Sequence, residues 1–156
     1  MASVHNDNSV YIWDLEKEMV IQSLELDYGP FRFSPDLNIM AGAVREEREY
    51  LVRLWEVDEG SHMGDLAVPG KVRDIFFSPD RKLMAAAAFG RPTVTDSGSA
   101  TTIYDISSQE LLYALDQNLE NNDFPLALSF TPDGGHLAVA TNNGIIELWR
   151  FREQNQ

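Results

Sequence analysis

Apolar residues recur along this chain in short runs of fixed order. Phe31-Arg32-Phe33, Ile75-Phe76-Phe77 and Leu128-Ser129-Phe130 are apolar at alternate positions, with Phe76 the exception. Alternation with a period of two is the pattern of a strand. Each run leads into a turn signal: Phe-Ser-Pro-Asp ending at Asp36 and again at Asp80, and Phe-Thr-Pro-Asp ending at Asp133. Proline fixes φ and the following Asp favours a tight turn. Next come Met40-Ala41-Gly42-Ala43-Val44, Met84-Ala85-Ala86-Ala87-Ala88 and Leu137-Ala138-Val139-Ala140-Thr141. Small residues throughout predict a tightly packed strand covered on both faces. A third run ends in an aromatic, at Trp13, Trp55, Tyr104 and Trp149, with Ile12, Leu54, Ile103 and Leu148 facing inward one position earlier. A fourth run carries the apolar pairs Ile21/Leu24, Met63/Leu66 and Leu112/Leu115.

The aromatics at 13, 55, 104 and 149 are separated by 42, 49 and 45 residues. A unit of roughly 40–45 residues with four strands is a repeat architecture, in which each unit buries its apolar faces against its neighbours. The fold class expected is therefore all-β, built from four-stranded antiparallel sheets with about 14 strands.

These residues resemble the WD-repeat β-propeller family. The segments from Asn6 to Asp14 and from Thr141 to Trp149 are close matches to its strand-and-aromatic signature, and the resemblance covers nearly the whole chain. It implies a non-catalytic scaffold for protein or peptide interaction. The chain departs from the family's pattern in one respect. The positions where the family often carries a Gly-His pair are Tyr28-Gly29, Pro69-Gly70 and the stretch near Phe124-Pro125, and none has the His. The matching Ser/Thr place is held by His5, Val44, Ala88 and Thr141. The polar network that the family buries is thus largely replaced by apolar packing. Losing its members together is coherent, because a buried polar group without partners is costly.

Overlaying the repeats aligns Met1 with Met40, Met84 and Leu137, so the chain is expected to start inside a unit and to stop after a third strand. The units are an incomplete blade over 1–26, blades over 27–68 and 69–117, a blade lacking its outer strand over 118–151, and a tail over 152–156. Propellers of this kind have about four to eight blades of four strands. The expectation is an open segment, the C-terminal part of a longer propeller, whose unpaired edges favour self-association.

Composition narrows the partner. With 44% hydrophobic residues the chain can bury a core. Its net charge of −13 repels phosphate backbones and anionic lipid, which argues against nucleic acid and membrane surfaces and favours a basic partner at long range. No apolar run approaches the roughly 20 residues that span a bilayer, and the N-terminal residues do not read as a signal peptide. The default is a soluble, cytoplasmic protein. There is no cysteine, which excludes disulfides and thiolate metal sites.

No cofactor, metal or catalytic group is expected. His5, His62 and His136 fall in different strands or turns without ligand spacing. Ser97 and Ser99 lie in a Gly/Ser-rich loop without a nucleophile elbow, and there is no phosphate-binding Gly-Lys-Ser/Thr loop. Arg32, Arg73, Asp74 and Ser129 on the innermost strands are too few for a channel active site. Binding is instead expected where loops grow on one face: around Arg45-Glu46-Glu47-Arg48-Glu49, over 90–99, and over 116–123. Tyr28, Arg45, Glu46, Arg48, Phe89, Arg91 and Phe124 are the candidate interaction residues, since aromatics and arginine dominate interface hot spots. Asp36, Asp80 and Asp133 have a structural role in the turns. The alternative reading is an accessory propeller of a multidomain enzyme or signalling ATPase whose catalytic domain lies elsewhere.

Overall fold

A computed structural model describes residues 2–4, 9–25, 29–89, 99–115 and 124–151. Among these residues there are fourteen strands and no helix. They are β1 (Ala2–Val4), β2 (Ser9–Asp14), β3 (Met19–Glu25), β4 (Phe31–Phe33), β5 (Ile39–Glu46), β6 (Glu49–Glu56), β7 (His62–Val68), β8 (Lys71–Phe77), β9 (Leu83–Phe89), β10 (Ser99–Asp105), β11 (Leu111–Leu115), β12 (Pro125–Phe130), β13 (His136–Thr141) and β14 (Ile146–Arg150). They form four antiparallel sheets in chain order: β1-β2-β3, β4-β5-β6-β7, β8-β9-β10-β11 and β12-β13-β14. We call these blades I to IV.

The registers repeat from blade to blade. Ala2 pairs with Ile12, Ala41 with Leu54, Ala85 with Ile103 and Ala138 with Leu148. Met40 faces Trp55, Met84 faces Tyr104 and Leu137 faces Trp149. Equal register puts chemically equal positions on equal faces, because a slip by one residue would exchange the two faces.

Three apolar clusters lie between the blades. Val10, Ile12 and Leu24 of blade I meet Met40, Val44, Leu51, Trp55 and Val57 of blade II. Ala41, Ala43, Val52, Leu54, Leu66 and Val68 of blade II meet Ile75, Phe77, Met84, Ala86, Ala88, Tyr104 and Ile106 of blade III. Ala85, Ala87, Ile103 and Leu115 of blade III meet Leu128, Phe130, Leu137 and Val139 of blade IV. Successive residues of β9 therefore serve opposite interfaces. Only small side chains let two sheets approach from both sides, which is why this strand is nearly all alanine. Phe76, the break in the alternation, is partly buried against the cluster shared with blade IV. The molecule is an open segment of a β-propeller, with sheets stacked face to face and the first strands β4, β8 and β12 side by side.

The fourth-strand pairs differ from the sequence expectation. Leu24, Leu66 and Leu115 are buried, but Ile21, Met63 and Leu112 are exposed. Each exposed residue is skipped in the pairing where the register shifts, between Ile12/Trp13, Leu54/Trp55 and Ile103/Tyr104. A β-bulge inserts one unpaired residue and strengthens the local twist. The same bulge recurs in three blades, and it places one member of each pair outside the core.

The Pro-Asp turns share one hydrogen-bond scheme. Ser34 Oγ donates to Asp36 Oδ1 (2.6 Å) and accepts from the Ile39 amide (3.0 Å). Ser78 does the same with Asp80 (2.6 Å) and Leu83 (2.9 Å), and Thr131 with Asp133 (2.5 Å) and His136 (3.0 Å). The residue after the Asp has positive φ in all three: Leu37 at 65°, Arg81 at 65° and Gly134 at 71°. Only Gly134 adopts this region without steric cost.

Candidate functional site

The candidate site is at the end of the sheets where the second strand turns into the third. Phe89 ends β9 of blade III, and Phe124 immediately precedes β12 of blade IV. Their ring centroids are 4.4 Å apart, tilted by 49°. The Arg73 guanidinium lies over both, 5.6 Å from the Phe89 centroid and 5.2 Å from that of Phe124. Arg73 is exposed while the two rings are partly buried. An arginine stacked on ring faces is held flat by their quadrupoles yet keeps its N–H edge free to donate. Among the described residues it makes no ion pair. Phe124 is itself fixed, since its amide donates to Asn142 Oδ1 (2.6 Å) and its carbonyl accepts from the Asn142 amide (3.1 Å).

A bulge between Val72 and Asp74 leaves Arg73 unpaired at the start of β8. The next residue, Asp74, is buried and joins three blades. It accepts from Arg32 of β4 (2.9 Å), from the Ile75 amide (3.0 Å) and from the Leu128 amide of β12 (2.9 Å). A carboxylate satisfied by one guanidinium and two amides stabilises the inner strands and fixes the backbone that presents Arg73.

The other expected residues are distributed as follows. Arg45 stacks over Tyr50 at 5.4 Å. Glu46 pairs with Arg53, which also holds Asp65 through two hydrogen bonds (2.7 and 2.8 Å). Arg53 raises no catalytic expectation, because Asp65 and Glu46 strengthen its positive charge. Arg48 is exposed in the turn. The segment around it is not the irregular loop expected. Arg45 pairs with Tyr50 and Glu46 with Glu49, so the added residues lengthen β5 and β6 and leave only Glu47 and Arg48 as the connection. Cross-strand pairing satisfies the added amides, which a loop would leave to water. Topology puts Arg45 and Arg48 at the same end of the sheets as Phe89 and Phe124, but in another blade. Tyr28 and Arg91 lie outside the described residues, as do the segments 90–98 and 116–123.

The repeat aromatics support the frame. Trp13 Nε1 donates to Ser3 Oγ (2.8 Å), Trp149 Nε1 to Glu147 Oε2 (3.2 Å), and the Tyr104 hydroxyl to the Ala67 carbonyl of the preceding blade. Burial pushes the Tyr104 phenol up. Asp36 is lowered to about 2, first by the Ser34 hydroxyl and then by Arg81 of the next blade. The Thr131 hydroxyl does most to lower Asp133. At Asp80 burial acts to raise the pKa, but the Ser78 hydroxyl and Lys82 amide outweigh it and the net shift is downward. Among the described residues no three His, Asp or Glu side chains converge on a metal-sized site.

The sequence marks Phe89 and Phe124 as candidate anchors but places Arg73 and Asp74 only on an inner strand. The available signal was the adjacent pair of opposite charges where blade IV carries Leu126-Ala127. A charge pair at the start of an apolar strand requires a bulge or a partner.

The fold and this site define a class: an open β-propeller segment with an aromatic and arginine cluster at one end of its sheets. No family model matches the chain. Among curated proteins it is similar to the small ribosomal subunit protein RACK1 of Schizosaccharomyces pombe, a WD-repeat β-propeller protein, with 26% identity over 123 residues. The match takes in 75% of this chain and 35% of that protein, so the chain spans about a third of its relative's length. No helix among the described residues is long and apolar enough to cross a membrane.

Proposed function

We propose that this chain is a non-catalytic interaction scaffold that binds a protein or peptide segment at the end of its sheets bearing Arg73, Phe89 and Phe124. The observation that carries this reading is the Arg73 guanidinium stacked on two rings from adjacent blades. The rings offer an apolar seat, and the free edge of Arg73 offers N–H donors to a carbonyl or carboxylate of the bound segment. Sheets on both sides keep this surface rigid, so little ordering is needed on binding. The net charge of −13 steers a partner that is basic overall and disfavours RNA phosphate. For that reason the ribosomal setting in the relative's name is carried over only as protein contact. We place the chain in the cytoplasm and treat its four sheets as one part of a longer propeller.

The test is selection of displayed random peptides on the immobilised chain, followed by titration of the recovered peptides against variants. Arg73→Ala and Phe124→Ala should each weaken binding by about tenfold or more, the size of effect seen when a hot-spot side chain is truncated. Lys17→Ala, in the exposed turn between β2 and β3 at the other end of the sheets, should leave binding unchanged. Peptides that bind wild type and Arg73→Ala equally would sink the proposal.

A further inference from the structure

The turns joining the first two strands of blades II, III and IV match residue by residue: Asp36-Leu37-Asn38, Asp80-Arg81-Lys82 and Asp133-Gly134-Gly135. In each, the Asp uses Oδ1 to close its own turn. Between blades II and III the Arg81 side chain reaches back across the interface, and its guanidinium donates to Oδ2 of Asp36. One inter-blade groove of this molecule thus shows what its turn carboxylate accepts from the following blade: an arginine head group.

The next groove has the same carboxylate without the arginine. Between blades III and IV, Asp80 stands where Asp36 stands, and Gly134 takes the place of Arg81. Asp80 accepts from the Ser78 hydroxyl and the Lys82 amide through Oδ1, and Oδ2 has no hydrogen-bond or ion-pair partner among the described residues. A Cβ built on Gly134 would meet only Pro79 Cδ, at 3.9 Å, so the position has room for a side chain. A cavity of about 400 Å³ lies here, and its walls include Asp80, Lys82, Asp105, Tyr113, Asp133 and Gly134. Three carboxylates against one ammonium give these walls a net negative charge, and Tyr113 adds an aromatic surface.

We propose that this groove takes an arginine side chain of a partner protein, which sets its guanidinium on Asp80 Oδ2 as Arg81 sets its own on Asp36. Arginine suits it better than lysine, because the planar guanidinium matches a carboxylate edge and stacks on an aromatic ring. The net charge of −13 draws a basic segment toward it. The groove is a second contact surface and does not rest on the Arg73 reading. Arg73 lies near the start of β8, and Asp80 lies in the turn after its end, so the two surfaces are at opposite ends of the sheets.

The probe is N-acetyl-arginine amide, titrated to about 10 mM into the intact chain, since one side chain binds in the millimolar range. Amide resonances in nitrogen-15 correlation spectra give the reading. Gly134 and Gly135 should shift saturably, while Phe89 and Phe124 stay in place. N-acetyl-citrulline amide, equal in shape but uncharged, should shift neither pair. Asp80→Asn keeps an acceptor for the Ser78 hydroxyl and the Lys82 amide, so the turn should hold, and affinity should fall about tenfold with the loss of a charge-assisted partner. Gly134→Arg supplies the missing guanidinium from within the chain and should abolish the shifts. Arg81 holds the same backbone conformation, with φ of 65° against 71° at Gly134, so an arginine can stand there. Absence of a saturable shift in wild type would overturn the proposal. So would equal binding of the citrulline probe, or wild-type affinity in Asp80→Asn.

Discussion

Strands β6 and β14 carry the same apolar pattern in the same register but have opposite environments. In β6, Val52 and Leu54 lie under blade III and have no exposure, while in β14 their counterparts Ile146 and Leu148 are mostly exposed. Nothing in the two segments differs enough to explain this. The difference comes from the neighbour: among the described residues β6 has a sheet on each side, whereas blade IV is covered on one side only. In a stacked repeat, stability is a sum of unit terms and interface terms, so identical strands gain unequally from folding.

The largest effect that tests this comparison is truncation of the paired leucines. Leu54→Ala should cost about 2–5 kcal/mol, the range for a buried leucine. Leu148→Ala should stay within about 0.5 kcal/mol, as exposed substitutions do. Urea titration of both variants measures the contrast, and equal losses would mean that β14 is covered in solution. Hydrogen exchange gives the same contrast residue by residue, with β6 amides protected well beyond those of β14.

Asp74 connects the two regions, reaching from blade II to blade IV. Asp74→Ala should destabilise by about 2–3 kcal/mol, because it strands the Leu128 amide and releases Arg32. Asp74→Asn keeps size and some acceptor capacity and should cost less. If the two variants melted together at the wild-type temperature, the connection would carry no stability.

A smaller effect is expected at Thr101, which takes the place of Val10, Val52 and Ile146. Its hydroxyl is buried and, among the described residues, unsatisfied. Thr101→Val should stabilise by about 1–2 kcal/mol, the penalty for an unpaired buried polar group. A loss of stability in thermal melts would reveal a partner for that hydroxyl. Smaller again is Leu37→Gly, which relieves a left-handed conformation at an exposed site. The gain should be below about 1 kcal/mol, because glycine also raises the entropy of the unfolded chain.

Acid should separate the two regions least. The turn carboxylates Asp36, Asp80 and Asp133 all have lowered pKa values, in middle and end blades alike. A lowered folded pKa gives stability that is present above the unfolded value near 3.8 and lost as pH falls, for Asp36 through about 2. Stability should therefore decline between about pH 4 and 2, and Asp36→Asn should flatten part of that decline in melts taken across the range.

Much of this could be read along the chain. The alternating runs, the Pro-Asp turns and the recurring aromatic specify the strands, their order and their antiparallel pairing, because these depend on period and local turn chemistry. The meeting of Phe89 with Phe124 was legible only as two candidate anchors, since they are 35 positions apart and in different blades. Arg73 could not be recognised as their partner, because its position depends on a bulge. The bulges that expose Ile21, Met63 and Leu112 were equally hidden, since apolar spacing alone does not say which residue is skipped.

The sequence by itself determined a repeated four-stranded unit, the order of its turn, small-residue strand and aromatic strand, and a strongly acidic net charge. Those follow from side-chain size, alternation and charge, which are properties of each segment. Only the tertiary structure decided which of the equal positions are buried and that Asp74 joins three inner strands. Burial is a relation between segments, and identical apolar pairs at 52/54 and 146/148 become core or surface according to whether a sheet lies against them.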